Sequence, residues 1–577
     1  MLYFVNKPEK EMKRRMREPF RKICLFAIAI FACLFCFPNI QSFGANNVVN
    51  LENIKGPKIK DLYMVIYRDP DSQILALETG KLDVLGDIIR PVDIKRLSSR
   101  DDILMTLSEG FHIFFLGFNL REFPWNDLAL RKALSHAVPR KKFVRDLFAG
   151  YCLPIYTYLP PVSPYYEPDV THYEYDPDKA KKLLAEAGWK WSQEGLLIPP
   201  GSDKPLEKVS LLCPTAQAAP TTAELASRIA ESFASLGLPV ELEMLDFSMM
   251  IKRLDKHDFD LFVMAWSLSR DPDNLFAFFH SSMDTEGGYN IQGLHDSKID
   301  KVLEDLRWAP DKDSAVKAAK EAQEMLSDKA PWIPIYSRYM ISAIRKDWKG
   351  LTFSKKTTAD NIWSLLNMEP VNGKMRPLYW CLPEDPRTLN PLAAGSAYDW
   401  AVLGLIYESL IGTDPYTLDD IPQLALKWNI ETETHGTKKL TKLVFHLRED
   451  VTWQDGAPFT SEDVKETILF LKKHQLPRYF DQVNNVISVE TPNEHEVVVT
   501  LENTSYWYLH NIGGLPIFPA HILKNVENWK SWRPERQENP KDPKLTQLVG
   551  TGPFIFMEYK PGEYVHLKRY DGYWKNR

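Results

Sequence analysis

The stretch from Leu206 to Leu245 constrains the fold more than any other. It reads as a strand over Leu206–Pro214, a helix over Thr221–Leu236 closed by Gly237, and a second strand over Pro239–Leu245 in which Val240, Leu242 and Met244 alternate. A connection of that length is too long for a hairpin and suits a right-handed crossover, so the two strands are expected to lie parallel. Neighbouring stretches repeat the theme. Asp176-Pro177 supplies a cap and a first-turn proline to a helix with Ala180, Leu183, Leu184 and Ala187 on one face and Gly188 at its end. Ile299, Val302, Leu303 and Leu306 form one further stripe, and Val316, Ala319, Met325 and Leu326 another. Residues 176–330 therefore predict an α/β substructure.

Beyond about Leu440 the texture changes. Leu443, Phe445 and Leu447 alternate, and Val486–Val489 and Val497–Leu501 flank a turn expected at Pro492-Asn493. Thr460 with Asp463 caps a helix carrying Val464, Ile468 and Leu471. This part is expected to be richer in β-structure. At 577 residues, with 44% hydrophobic and 26% charged residues, the chain is globular and long enough for several cores.

The N-terminus reads as a secretory leader. Lys13, Arg14, Arg15, Arg17, Arg21 and Lys22 precede an apolar run from Ile23 to Phe37, then Pro38 and the small residues Ser42, Gly44 and Ala45. The run falls short of the roughly 20 apolar residues a bilayer-spanning helix needs, although a retained anchor remains the alternative. Cleavage is expected after Gly44. Ile30-Phe31-Ala32-Cys33 is a poor lipoprotein signal, so lipid anchoring stays open. The leader carries eight Lys/Arg and three Asp/Glu, so its removal takes the formal charge from −6 to −11. So acidic a chain gains nothing from phosphate attraction, which argues against nucleic acid as a partner. Three of the six cysteines, including Cys33-x-x-Cys36, lie in the leader; Cys152, Cys213 and Cys381 are left, with neither disulfide framework nor metal spacing.

Several blocks carry a resemblance. From Leu378 the chain shows Pro383-Glu384-Asp385-Pro386-Arg387-Thr388-Leu389-Asn390-Pro391, Ile406-Tyr407-Glu408-Ser409-Leu410, Phe445-His446-Leu447-Arg448, Trp453-Gln454-Asp455-Gly456-Ala457-Pro458-Phe459, Gly550-Thr551-Gly552-Pro553-Phe554 and Tyr570-Asp571-Gly572-Tyr573-Trp574. This text resembles the opening of the family 5 extracellular solute-binding proteins, the dipeptide, oligopeptide and nickel-type receptors. Residues 58–368 are similar to the remainder of that family, through Ala76–Val84, Gly117-Phe118-Asn119, Leu130-Arg131-Lys132-Ala133-Leu134, Gly288-Tyr289-Asn290 and Ala330–Tyr336. The blocks stand in exchanged order, which reads as a circular permutation. Residues 369–374 would join the ancestral termini, and the break would fall between Arg577 and about Gly56. Such an exchange is tolerable where old termini lie close at the surface. Half of a tandem array and an assembly error are the alternatives.

The resemblance implies an α/β, two-lobed type II periplasmic-binding-protein fold of the large, cluster C type with an extra β-rich subdomain. Its expected parts are a signal peptide (1–44), a portion matching the family's C-terminal part (46–368, with the second lobe at about 105–335), a linker (369–374) and a portion matching its N-terminal part (375–577, with the β-rich subdomain at about 412–545). It further implies a periplasmic or otherwise extracytoplasmic, monomeric protein that captures a peptide or similar small solute and delivers it to an ABC permease of the inner membrane. A sensor of the same fold, docking on a chemoreceptor or kinase, is the alternative. No cofactor, metal or catalytic residue is expected: Gly-x-Ser-x-Gly, His-Glu-x-x-His and Gly-Lys-Ser/Thr motifs are all missing from the sequence, which leaves a hydrolase remote.

The leading ligand candidates are Trp266, Arg270 and Asp271, in the polar loop after the apolar strand Leu261–Ala265, where α/β clefts collect ligands. Trp266 would stack on the ligand, with core packing as its plain alternative. In peptide-binding relatives an aspartate soon after this tryptophan pairs with the ligand's α-ammonium. Ser269 stands there in this chain, with Arg270 next as a candidate to hold a carboxylate. Tyr289, Asn290, Tyr398, Asp399, Phe111 and His112 complete the set, each weighed evenly against a scaffold role. His112 alone is too little for a metal site.

Overall fold

The computed structural model describes residues 40–42, 49–435 and 438–576. The expected leader lies outside the described residues except for Ile40–Ser42, a short strand that pairs in parallel with Met105–Leu107. The elements that position the site are, in chain order, β1 (Asp61–Ile66), β2 (Val84–Leu85), β3 (Ile103–Glu109), β4 (His112–Phe118), α1 (Arg140–Phe148), β5 (Val209–Pro214), α2 (Pro220–Ala234), β6 (Val240–Leu245), β7 (Leu261–Ser267), β8 (Trp332–Arg345), β9 (Leu378–Leu382), α3 (Ala397–Leu403), α4 (Tyr508–Gly513), β10 (Phe554–Lys560) and β11 (Tyr564–Arg569).

The crossover expected at 206–245 is present. β5 and β6 pair in parallel from Val209↔Val240 to Pro214↔Leu245, with α2 returning between them and Gly237 taking a φ of +97° at the exit. A single twisted sheet then runs β6-β5-β7-β4-β8-β2-β9-β1-β11-β10, with β3 also paired to β8. The strand between Val486 and Asn493 is longer than the alternation suggested. Asn493 still pairs with Glu496, so the hairpin turns at Glu494-His495, two residues beyond the expected Pro492-Asn493; a register shift between Glu490 and Asn493 absorbs the proline. That hairpin belongs to a four-stranded antiparallel sheet with Ala425–His435 and Lys438–Leu447.

Two stretches of chain, at 110–111 and 337–338, join the part between them, the second lobe, to the rest of the described chain, the first lobe with the β-rich part. β8 is 14 residues long; its first half pairs with β4 (Trp332↔Gly117 to Tyr336↔Phe114) and its second half with β3 (Tyr339↔Glu109 to Arg345↔Ile103). β3 and β4 are consecutive, broken only at Gly110-Phe111, so both crossings lie side by side at Gly110-Phe111 and Ser337-Arg338. The Ser337 hydroxyl donates to the Gly110 carbonyl at 3.0 Å and ties them together. A pair of short adjacent crossings is the geometry of a hinge. Gly110 leaves no room there: a Cβ would lie 2.5 Å from the Arg338 carbonyl oxygen and 2.9 Å from His112 Nδ1. Gly110→Ala is expected to cost about 1–3 kcal/mol through overpacking, read as a lowered unfolding midpoint.

Alternation along β4 splits the second lobe into two cores. Phe115 packs with Phe262, Phe279, Leu303 and Trp332 on one face of the sheet, while Leu116 and Phe118 pack with Leu134, Ile229 and Phe233 on the other. In the first lobe Leu77, Leu97, Met105 and Ile341 form a small core. A larger one runs from Leu62 and Leu378 into Phe445, Val464 and Val499 of the β-rich part.

The segment 369–376 is ordered. Glu369-Pro370 pairs with Trp348-Lys349, and Arg376 grips the buried carboxylate of Asp83 with bonds of 2.7 and 2.8 Å before β9 inserts between β2 and β1. At the far end of the chain β11 lies against β1, and Arg569 donates its backbone N–H to the Lys60 carbonyl (2.8 Å) and its side chain to that of Lys58 (3.1 Å).

Candidate functional site

Between the lobes, beside the hinge strands, lies a cavity of about 1390 Å³. Its second-lobe wall is aromatic: Phe114 of β4 stacks on Tyr336 (centroids 4.2 Å apart) and Phe148 of α1 leans on the same ring (4.4 Å). The first lobe contributes Met64 of β1, Trp380 of β9 and Tyr398 of α3, together with the loop through Glu384 and Arg387.

Most charges around this cavity are already matched. Arg68 pairs with Glu384 (2.8 Å) and Asp385, Arg90 with Asp71 (2.5 Å) and Asp93, and Arg338 with Asp87 (3.0 Å). Among the described residues Arg387 has no ion-pair partner, and its side chain is exposed at the cavity wall. Asp360 also lines the cavity. Burial, with nearby Asp87 adding to it, pushes its carboxyl up toward the neutral form, and its Oδ1 is sealed off by protein atoms.

Of the nine residues singled out from sequence, Tyr398 lines this cavity. Asp399, next to it, is turned inward: its carboxylate accepts the backbone N–H groups of Arg387 (2.7 Å), Thr388, Gly395 and Ser396, clamping the arginine-bearing loop to the start of α3. Asn290 is likewise buried, spent on the Leu294 backbone and the His280 carbonyl. Trp266 lies on the opposite face of the second-lobe sheet, stacked on Phe278 at 4.9 Å, with the exposed ring of Tyr289 edge-on at 5.8 Å. Phe111 sits in the hinge, its carbonyl accepting the Leu268 N–H at 2.7 Å. His112 is half-buried beside it, its pKa lowered by burial and then by Arg338.

Arg270 and Asp271 are committed elsewhere. Arg270 donates to the Leu418 carbonyl (2.9 Å) and to Asp420 (2.7 Å), and Asp271 meets His510 Nδ1 at 2.7 Å. His510, on α4, reaches Asp420 with its Nε2 at 2.9 Å, so one imidazole is held between two carboxylates from different parts of the fold. Around it Ser505, Tyr506 and Trp507 bond to the carbonyls of Arg307, Ala309 and Leu306. These contacts join the second lobe to the β-rich part. The expected carboxylate-binding arginine is therefore occupied by protein groups.

Sequence reasoning missed Phe114, Phe148, Tyr336, Trp380 and Arg387. Arg387 and Tyr336 were inside quoted motifs, but nothing in their spacing tells a cavity wall from a core. The described residues contain no group of three or more His, Cys, Asp or Glu side chains placed for a metal ion. Cys152, Cys213 and Cys381 are buried free thiols, with burial pushing Cys213 to about 11 and Cys381 to about 12.

The model of the bacterial extracellular solute-binding proteins, family 5, middle part, matches residues 52–287 and 407–577. The dipeptide-binding protein of Escherichia coli K12 is 26% identical over 295 residues, covering 51% of this chain and 53% of that protein. Heme-binding protein A of Haemophilus influenzae is 27% identical over 310 residues, covering 52% and 53%. The chain thus spans about half the length of the curated relatives it matches. Among solved structures, HbpA2 from Haemophilus parasuis aligns with 53% of this chain and 57% of its own at 23% identity, with a TM-score of 0.46.

Proposed function

Because this chain belongs to the family 5 bacterial extracellular solute-binding proteins, we propose that it is the extracytoplasmic receptor of an ABC importer, exported by its leader, which encloses a peptide or similar small solute and passes it to an inner-membrane permease. The observation that carries this reading is the 1390 Å³ cavity walled by both lobes beside two adjacent crossing strands. A solute that touches both walls stabilises the closed arrangement by the contacts it gains only there, and that arrangement is what a permease can distinguish from the open one. Capture and release break no covalent bond.

The exchanged order of the two blocks is read as a circular permutation within one self-contained monomer. Support comes from the way the 375–577 block enters and leaves the sheet beside the same strand: β9 and β11 flank β1, and Arg569 bonds the backbone of Lys58 and Lys60.

Native mass spectrometry of protein purified without denaturation tests both. The expected spectrum is a monomer carrying one small solute, and adding that solute should raise the unfolding temperature by mass action. An empty protein that shows no thermal shift with peptides, opines, sugars or metal chelates would remove the receptor reading. An obligate dimer would remove the self-contained permutation.

A further inference from the structure

Resting on the receptor reading, we propose that the interlobe cavity selects a carboxylate-bearing solute with an apolar or aromatic body, that Arg387 is the residue that holds the carboxylate, and that no free amine is required. Four arginines line the cavity. Three are matched by acids, Arg68 by Glu384 and Asp385, Arg90 by Asp71 and Asp93, and Arg338 by Asp87. Arg387 is the remaining one, without an ion pair among the described residues. A guanidinium offers a planar fork of donors that fits a carboxylate with two parallel bonds.

The backbone under Arg387 is built to hold it in place. Asp399 accepts the N–H groups of Arg387 and Thr388 on one oxygen and those of Gly395 and Ser396 on the other, so the loop and the first turn of α3 move as one piece. That piece also carries Tyr398 to the cavity wall. Across the cavity, Phe114 and Phe148 present rings from the second lobe, backed by the buried ring of Tyr336, and Trp380 adds another from the first. A ligand with its carboxylate on Arg387 and its apolar body on these rings touches both lobes, which is the condition for ligand-driven closure.

Among the described residues, the other acids lining the cavity, Asp87, Asp93 and Glu384, are taken by Arg338, Arg90 and Arg68. Asp360 is the lining acid without a cationic partner, and its free oxygen is closed off from the cavity by protein atoms.

The test uses N-acetyl-leucyl-phenylalanine and its C-terminal amide as probes on the full-length protein, with isothermal titration calorimetry as the readout. The free acid is expected to bind at least tenfold more tightly than the amide. Arg387→Gln is expected to erase that preference by weakening the acid about tenfold while leaving the amide unchanged, and Arg387→Lys to restore part of it. Arg387 is exposed and its side chain has no hydrogen bond or ion pair among the described residues, so the variants should keep the wild-type circular dichroism spectrum. Equal binding of acid and amide by the wild type would overturn the assignment without any variant. So would a co-purified solute that carries no carboxylate, and in that case the receptor reading stands. Capture of no solute at all would instead remove the receptor reading itself.

Discussion

Arg140→Met is expected to lower the stability of the second lobe by about 3 kcal/mol or more. The Arg140 side chain is buried at the start of α1, with no ion pair among the described residues, although the Glu174 carboxylate acts on it from nearby. Its guanidinium donates instead to three carbonyls, Pro334 at 2.6 Å, Tyr173 at 2.9 Å and Ser135 at 3.1 Å, and lies over the ring of Tyr156 at 4.8 Å. Burial pushes its pKa down to about 10, so it remains charged at neutral pH and the carbonyl dipoles bear the cost of keeping it so. Methionine fills much of the same volume, which keeps the cavity contribution small. The loss is then mainly three acceptors left buried and unpaired, at roughly 1–3 kcal/mol each. One of them belongs to Pro334, at the irregularity in β8 just before the crossing to the first lobe. The variant should therefore unfold at lower urea concentration and also loosen the hinge. A midpoint within error of wild type would show that the carbonyls find other donors.

The second large effect concerns the lobe contact around His510. Burial alone would lower the pKa of this imidazole, but hydrogen bonds to Asp271 and Asp420 and their charges outweigh it, and the net shift is upward from 6.5. Asp420 is shifted the other way: burial would raise it, and His510 and Arg270 hold it below 3.8. The signs follow from linkage. A base whose pKa rises on forming the contact adds stability that is complete below 6.5 and is lost as pH climbs through the raised value. An acid whose pKa falls adds stability that is complete above 3.8 and is lost as pH drops through the lowered value. The contact is thus strongest between about pH 4 and 6.5. Arg270 stays charged throughout this range, and burial raises the neighbouring Tyr165 and Tyr506, which stay neutral. Nearby Lys312 and Asp419 neutralise each other at 2.8 Å.

Charge-assisted bonds of this kind contribute about 1.5–3 kcal/mol, which corresponds to roughly ten- to a hundredfold in any affinity that depends on closure. Affinity for the co-purified solute should accordingly fall by up to that factor as pH climbs above 6.5 through the raised value, while His510→Gln should be weak throughout and flat. Small-angle scattering of the solute-free protein over the same range should show expansion at the alkaline end. A variant that keeps the wild-type pH profile would place the titrating group elsewhere.

How much of this was legible beforehand depended on the kind of interaction. The crossover at 206–245, the capped helix after Asp176 and the capping box at Thr460 were read correctly because each is a local agreement of period, cap and terminator. The hairpin turn was misplaced because the strand carries Pro492 through a register shift, which only pairing partners reveal. The candidate site fared differently. Tyr398 and Asp399 are adjacent, yet one lines the cavity and the other clamps its wall. Arg270 looked available for a carboxylate; Asp420 and the Leu418 carbonyl, about 150 residues later in the chain, already take its donors.

The sequence by itself determined the α/β texture, the β-rich portion and the membership in a family of binding proteins, since periodicity and motif order are local or cumulative properties of the text. The tertiary structure alone decided which arginine of the cavity has no ion pair among the described residues, which aromatic rings line the cavity, and that the second lobe meets the β-rich part through His510. Those outcomes rest on pairings between residues far apart in the chain. A charged side chain's role is set by whichever partner reaches it first, and no spacing along the sequence records that.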